Sequence, residues 1–298
     1  MTPLARRAFV TGALGLGAAE ALSLAGTFDH RRLPRPSARE RMRNALAASC
    51  PGVVHVGHST HVLTVGGHRV LTDPWFTDPA FGALEHLRSP ACAPEDMKDL
   101  DAVLVSHEHP DHADLAALDR LPDKARTIAL VATEALSRRL ARLGYRHVRR
   151  LAPWEAHELD GAVVHAVPAV HDVPEIGFVV IGGGASVYFA GDTALHPGLA
   201  AIAERYRPTF AILPVDGTRL RGSASPTMNA LEATGAASVL GVRGVMPSHA
   251  EARFTDPFAE HVLTASSHGG VELFQQEMAT RLPHVRCAVP EPGERVEI

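Results

Sequence analysis

Val103-Leu104-Val105-Ser106-His107-Glu108-His109-Pro110-Asp111-His112 is the stretch from which the rest of the chain can be read. A short apolar run gives way to three histidines and an aspartate within six positions. The run has the length and composition of a buried strand, and the polar cluster falls where that strand opens into a loop. Side chains at i and i+2 of a strand point to one side, so His107 and His109 are expected to close on one ion. Asp111 and His112 follow the turn at Pro110 and face a second position. Imidazole and carboxylate are ligands for zinc, iron or manganese. A lone histidine is more often a structural residue, but packing does not explain this many ligand-type groups behind one hydrophobic strand.

The pattern recurs further along: an apolar strand, then a ligand-type residue at its C-terminal tip. A strand over 162–167 leads to His171-Asp172, one over 186–190 leads to Gly191-Asp192-Thr193, and one over 244–247 leads to Ser248-His249. Gly191 before Asp192 lets the backbone pass close to an ion. Ligands gathered from several strand tips make a composite site on rigid elements. His165 lies inside its strand and reads as a sheet-face residue, whereas His196, His261 and His268 read as surface residues in or near helices. A strand over 69–72 closes on Asp73-Pro74, leaving Asp73 at a tip. His58 and His61 fall in the first turn; His58 could border the site, and His61 reads as an ordinary loop residue. Asp216 follows a strand over 210–214 and could line a pocket, with Arg219 and Arg221 beyond it.

The remaining elements fit around these tips. Strands are expected over 53–57, 60–65, 127–131, 147–151, 178–181 and 285–289, with glycine turns at 66–67 and 182–184. Helices are expected over 38–48, 113–118 and 134–143, the last stopped by Gly144. A further helix is expected from Ser225-Pro226 to Leu240, and a short one after Asp256-Pro257. The stretch 77–94, with Pro and Phe and no periodicity, reads as a loop over a pocket rim.

With 298 residues and an ordinary apolar fraction the chain can build a large core, and its 18 histidines support a metal site. A formal net charge of −4 and scarce aromatics give no footprint for nucleic acid. Cys50, Cys92 and Cys287 form no CxxC; a Cys50–Cys92 bridge is open if the protein is exported. Arg6-Arg7 followed by Phe9, a short apolar run and Ser23-Leu24-Ala25 resemble a twin-arginine export signal over residues 1–25. Residues 26–51 then read as a linker or arm, and 52–298 as the catalytic domain. The apolar run is too short to span a bilayer, so no transmembrane helix is expected in the mature chain.

The residues quoted above resemble the metallo-β-lactamase superfamily of binuclear metallohydrolases. The HxHxDH signature is His107, His109, Asp111 and His112, and His171, Asp192 and His249 stand where that family has its later ligands. Gly57-His58-Ser59-Thr60 and Leu71-Thr72-Asp73-Pro74 are similar to the branch of L-ascorbate-6-phosphate lactonase and N-acyl-phosphatidylethanolamine phospholipase D. The resemblance covers about residues 52–290 and implies one domain of α/β (α+β) class, an αββα four-layer sandwich of two similar halves. It implies two divalent metal ions, zinc first with manganese or iron as alternatives. One is held by His107, His109 and His171, the other by Asp111, His112 and His249, and Asp192 bridges them. It further implies a bridging hydroxide as nucleophile, Asp111 as the catalytic proton carrier and Asp73 orienting a ligand histidine. The expected activity is hydrolysis of a phosphodiester or an ester or lactone in a small-molecule or lipid-like substrate. Alternatives are a β-lactamase-like or thioester hydrolase, or a non-catalytic metal-binding protein.

Overall fold

A computed structural model describes residues 34–220, 227–256, 258, 264–265 and 270–298. Its first half runs α1 (Pro36–Leu46), β1 (Gly52–Gly57), β2 (Thr60–Val65), β3 (His68–Thr72), β4 (Leu84–His86), β5 (Ala102–Val105), α2 (Leu115–Arg120), β6 (Ile128–Val131), α3 (Glu134–Arg142) and β7 (His147–Arg150). The second half runs β8 (Ala156–Leu159), β9 (Ala162–Pro168), β10 (Ile176–Gly182), β11 (Ala185–Phe189), α4 (Gly198–Tyr206), β12 (Phe210–Pro214) and β13 (Arg219–Leu220). It continues with α5 (Ala230–Leu240), β14 (Gly244–Ser248), β15 (Ala252–Phe254), β16 (Thr264–Ala265), α6 (Gly270–Arg281), β17 (Arg286–Cys287) and β18 (Arg295–Glu297).

Two seven-stranded sheets result, in the orders β18-β1-β2-β3-β5-β6-β7 and β17-β14-β12-β11-β10-β9-β8. β1, β2 and β3 form an antiparallel meander, and β3, β5, β6 and β7 then run parallel. The second sheet repeats the plan: β8 to β11 are antiparallel, and β11, β12, β14 and β17 are parallel. Strands such as β5, β11 and β12 are buried along their whole length, which is why they read as unbroken apolar runs and not as alternating ones.

Three apolar layers hold the sandwich. Between the sheets lie Leu63, Leu104, Leu130, Phe178, Phe189, Phe210 and Ile212. Outside the first sheet, Met42 of α1, Leu118 of α2 and Leu136 and Leu140 of α3 pack on Val56, Val103 and Val131. Outside the second, Leu199 and Ile202 of α4, Ala233 and Ala237 of α5, and Phe274 and Met278 of α6 pack on Val179, Ala211 and Val245. Helix, sheet, sheet, helix is the αββα order, and the fold class expected from the sequence is the one observed.

Local chemistry explains most boundaries. Thr133 caps α3 by accepting from the Leu136 N–H, and Gly144 follows its end at φ +99°. The expected cap at Ser225-Pro226 lies outside the described residues. The helix begins later, where Asn229 accepts from the N–H groups of Leu231 and Glu232 and the Glu232 carboxylate accepts the Asn229 N–H. The helix expected after Asp256-Pro257 also falls largely outside the described residues. β8 and β18 carry too many polar residues to have been read as strands, and the strand expected over 285–289 is only Arg286–Cys287. The helix in the stretch read as an arm is α1, and its Ala38, Met42 and Ala45 are buried against the first outer layer. Cys50, Cys92 and Cys287 are all free thiols, so Cys50 and Cys92 are not bridged.

Candidate metal centre

Because β3, β5, β11, β12 and β14 belong to the parallel portions of the sheets, the C-terminal ends within each sheet lie side by side. Asp73 follows β3, His107–His112 follow β5, Asp192 follows β11, Asp216 follows β12 and His249 follows β14. His171 lies beyond the end of β9. β5 ends at Val105, so the strand geometry invoked for His107 and His109 does not apply. They converge through a tight turn instead, in which the His112 and Ala113 N–H groups donate to the His109 carbonyl at 3.0 and 2.8 Å.

Two clusters form. His107, His109, His171 and Asp192 present ligand atoms within 4.8 Å of one another, and so do His58, Asp111, His112 and His249. Asp192 Oδ2 sits at the junction, 3.9 Å from His107 Nε2, 3.1 Å from His112 Nε2 and 3.0 Å from His249 Nε2. Asp111 Oδ2 stands 3.8 Å from His112 Nε2 and 3.6 Å from His249 Nε2. His109 Nδ1 and His171 Nε2 are 3.2 Å apart. The structure thus brings together all seven sequence-predicted ligand residues. It adds His58, which is fully buried at the site and not merely on its border.

Three of the rings are aimed by a partner on the far side. His112 Nδ1 meets Asp73 Oδ2 at 2.8 Å, and His249 Nδ1 meets Asp216 Oδ1 at 3.0 Å. His107 Nδ1 meets Ser106 Oγ at 2.8 Å and lies 3.3 Å from Glu175 Oε1. A carboxylate on Nδ1 fixes the proton there and leaves the Nε2 lone pair for a cation. Asp73 is itself pinned: it accepts from Ser106 N–H at 2.7 Å and Ser106 Oγ at 2.6 Å, and Thr60 Oγ1 holds its carbonyl at 2.8 Å. Glu175 accepts the Asp192 N–H at 2.7 Å. That approach needs Gly191, since a Cβ there would fall 2.2 Å from Glu175 Oε1 at φ +65°.

The electrostatics are those of a site built for positive charge. Burial and the neighbouring His112 lower His107 to about 3, and burial and His107 lower His109 to about 4. Burial alone would raise Asp111 and Asp192, but His112 and His249 outweigh it and hold both carboxyls well below the usual range. Burial would likewise lower His112 and His249; Asp192 outweighs it in both, aided by Asp111, and keeps them well above the ordinary imidazole value. Burial and Asp192 push Glu175 up to about 8. His107 Nε2, His112 Nε2, Asp111 Oδ1 and Asp192 Oδ1 are buried and have no hydrogen-bond partner. Converging buried lone pairs of this kind are what a divalent cation satisfies, so the residues fit the expected metal. The donors are nitrogen and oxygen only.

One residue sits differently from its sequence reading, and the others keep to theirs or lie outside the described residues. His61 lies within β2, buried, with its Nδ1 3.3 Å from His55 Nδ1. His165 lies on β9 against the Tyr206 ring, away from the clusters. His196 is half-buried and belongs to neither cluster. His261, His268 and Arg221 lie outside the described residues. The 77–94 stretch does border the site: the Phe81 ring is 5.2 Å from His109, and Trp75 just before it stacks on His86 and meets His58 edge-on. Glu175 and Glu251 had no role in the sequence reading. Their only signal was an isolated acid beside an apolar strand or a ligand histidine.

A four-layer sandwich with two such clusters joined by one aspartate defines the class of metallohydrolases with the metallo-β-lactamase fold. Residues 68–250 match the family model described as the β-lactamase superfamily domain. A metal-dependent hydrolase from Caldivirga maquilingensis is 27% identical over 243 residues, covering 80% of this chain and 94% of the relative. One from Rubrobacter xylanophilus is 32% identical over 216 residues, covering 66% and 80%. A solved structure of a possible metal-dependent hydrolase from Veillonella parvula superposes with a TM-score of 0.70 at 18% identity, covering 84% of this chain and all of that one. The chain belongs to the β-lactamase superfamily, as one of its metal-dependent hydrolases.

Proposed function

We propose that this chain holds two divalent cations, zinc in the first instance, and hydrolyses a phosphodiester or an ester or lactone bond. The observation that carries the reading is Asp192 Oδ2, placed between a three-histidine cluster and a cluster containing Asp111, His112 and His249. His107, His109 and His171 would hold one ion, Asp111, His112 and His249 the other, and Asp192 both. Paired cations supply a nucleophile from water at neutral pH and polarise the oxygen of the bond being cut. The chain's own groups do the rest. Asp192 offsets the repulsion between the charges; Asp73, Asp216 and the Ser106–Glu175 pair aim the rings. Asp111, ionised and buried within the second cluster, would take a proton from the attacking oxygen and return it to the leaving oxygen.

The substrate in this reading is a small or lipid-like molecule. No described helix is long and apolar enough to cross a membrane. Export belongs to the same proposal and is checked by cell fractionation and N-terminal sequencing of the mature protein. The decisive experiment combines metal analysis of purified protein with a panel of phosphodiester, lactone, thioester and β-lactam substrates, with Asp111→Ala alongside. The reading expects two metals per chain and activity that Asp111→Ala reduces by orders of magnitude. Fewer than two metals, or full activity in Asp111→Ala, refutes it.

A further inference from the structure

His58 stands among ligand-type groups, yet its ring is wired in the opposite sense. In His112 and His249 the Nδ1 atom faces a carboxylate oxygen, so Nδ1 keeps its proton and Nε2 is the nitrogen whose lone pair a cation can take. In His58 the Nδ1 atom faces the backbone N–H of Glu251 at 3.4 Å. An N–H can only donate. Nδ1 therefore accepts, which requires the neutral ring and puts its single proton on Nε2. That nitrogen is buried, has no hydrogen-bond partner, and lies 3.7 Å from Asp111 Oδ2. The other oxygen of that carboxylate, Oδ1, is buried and also lacks a partner. Three ring nitrogens thus surround Asp111 Oδ2 at nearly equal range: His58 at 3.7 Å, His249 at 3.6 Å and His112 at 3.8 Å. Two of them are nitrogens that a cation can take, and the third holds a proton directed at the carboxylate.

The wiring of His58 is built into the fold. The Glu251 carboxylate accepts the His58 backbone N–H at 3.1 Å, so the two residues are joined reciprocally. Glu251 is buried and anchored in turn by His55 Nε2 at 3.1 Å and by Arg88. His58 keeps φ at +51°, a costly conformation for a residue with a Cβ, and the Trp75 ring meets its imidazole edge-on at 5.0 Å. The turn carrying His58 is thereby tied to the segment carrying His249.

We propose that His58 is a positioning residue and not a ligand: it donates its Nε2–H to the Asp111 carboxylate and fixes that carboxylate's rotation, so that Asp111 turns one oxygen to the second ion. The consequence for turnover rests on the two-ion reading above; the wiring does not. The test uses the full chain labelled with 15N, stripped of metal by chelation and then titrated with zinc. Long-range 1H–15N spectra, assigned by difference with His58→Gln, should show His58 protonated at Nε2 before and after zinc, while the His112 Nε2 resonance moves. Zinc content should stay at the wild-type value in both His58→Gln and His58→Ala. His58→Ala should lose roughly 10- to 100-fold in kcat with KM little changed, the range for partners that orient a site. His58→Gln, whose amide nitrogen can stand where Nε2 stood, should recover most of that loss. A melting scan of each variant separates these effects from misfolding. A proton on Nδ1 in the metal-free chain, or one zinc fewer in either variant, overturns the proposal. Wild-type protein that binds no zinc refutes the two-ion reading instead, and the tautomer measurement still decides this one.

Discussion

Asp73→Asn is the sharpest single perturbation of the site. Asp73 accepts from the Ser106 N–H at 2.7 Å, the Ser106 hydroxyl at 2.6 Å and His112 Nδ1 at 2.8 Å. An asparagine keeps one acceptor oxygen and turns the other into an NH2 donor. If the NH2 lies at Oδ2, it faces His112 Nδ1–H, and the imidazole escapes only by moving its proton to Nε2, where it blocks a cation. If the amide flips, the NH2 faces the Ser106 backbone N–H, which cannot move its proton. Both arrangements set donor against donor. Partners of this kind are worth roughly 10- to 100-fold in metal affinity, or about 1.4–2.7 kcal/mol. The loss should fall on one ion, because His112 belongs to the cluster with Asp111 and His249. The other cluster's hydrogen-bond link to Asp73 runs through the Ser106 hydroxyl, which His107 Nδ1 meets at 2.8 Å, beside a direct effect of the Asp73 charge on His107. Zinc titration against a chromophoric chelator should show one weakened step and one nearly unchanged step, with the apo protein destabilised by about 1–3 kcal/mol for the buried group left unpaired. Two unaltered zinc steps would mean that Asp73 does not set the His112 tautomer, and the reasoning fails.

Three more outcomes follow from the same geometry. His112 and His249 are held above the ordinary imidazole value, chiefly by Asp192 against the effect of burial, so in the apo protein they keep protons that zinc must displace. Zinc affinity should therefore rise with pH through and above about 6.5, with proton release seen as a buffer-dependent heat in calorimetry; flat affinity from pH 6 to 8 contradicts this. Gly191→Ala should cost about 1–2 kcal/mol for the left-handed backbone and about 1–3 kcal/mol for the severed Glu175–Asp192 hydrogen bond, because the new Cβ would lie 2.2 Å from Glu175 Oε1; an unchanged urea midpoint refutes that close approach. Burial would raise the Glu251 carboxyl, but His55 and then Arg88 outweigh it and hold it below its usual range. A depressed carboxyl stabilises the fold above its unfolded pKa of about 4.3 and loses that effect as pH falls through its folded value. Glu251→Gln should thus cost about 3–5 kcal/mol near pH 7, with a smaller difference from wild type below pH 4; an equal difference at both pH values would show that charge is not the cause.

How much of this was legible in the sequence depends on what each residue advertises. His107, His109, Asp111 and His112 stand within six positions behind an apolar strand, and such clustering needs no tertiary knowledge to detect. His171, Asp192 and His249 were found because a strand tip is a local feature, and the parallel ordering of the strands then brought those tips to common edges. The layers were legible for the same reason. Strands buried on both faces read as continuous apolar runs, whereas β8, with its His157 and Glu158, is an edge strand with no such run. The start of α5 was misplaced because Ser225-Pro226 and Asn229 are both good caps by local rules, and the reciprocal contact with Glu232 decides for Asn229.

Apart from Asp73, whose place behind a ligand histidine the family resemblance implied, the sequence could not show the wiring behind the ligands. Asp216 was visible as a strand-tip acid, but whether a carboxylate lines a pocket or sits behind a ring depends on its distance from a residue tens of positions away. Glu251 is the extreme case: it lies two residues after His249 and acts on His58, 193 positions earlier. Ligand-type residues announce a site by their type, while a histidine's role within it follows from which nitrogen its neighbours leave free. His58 and His112 are the same residue type, both fully buried and both close to Asp111. One has a carboxylate behind it and the other a backbone N–H, and that difference alone makes one ring a lone-pair donor to a cation and the other a proton donor to the carboxylate beside it.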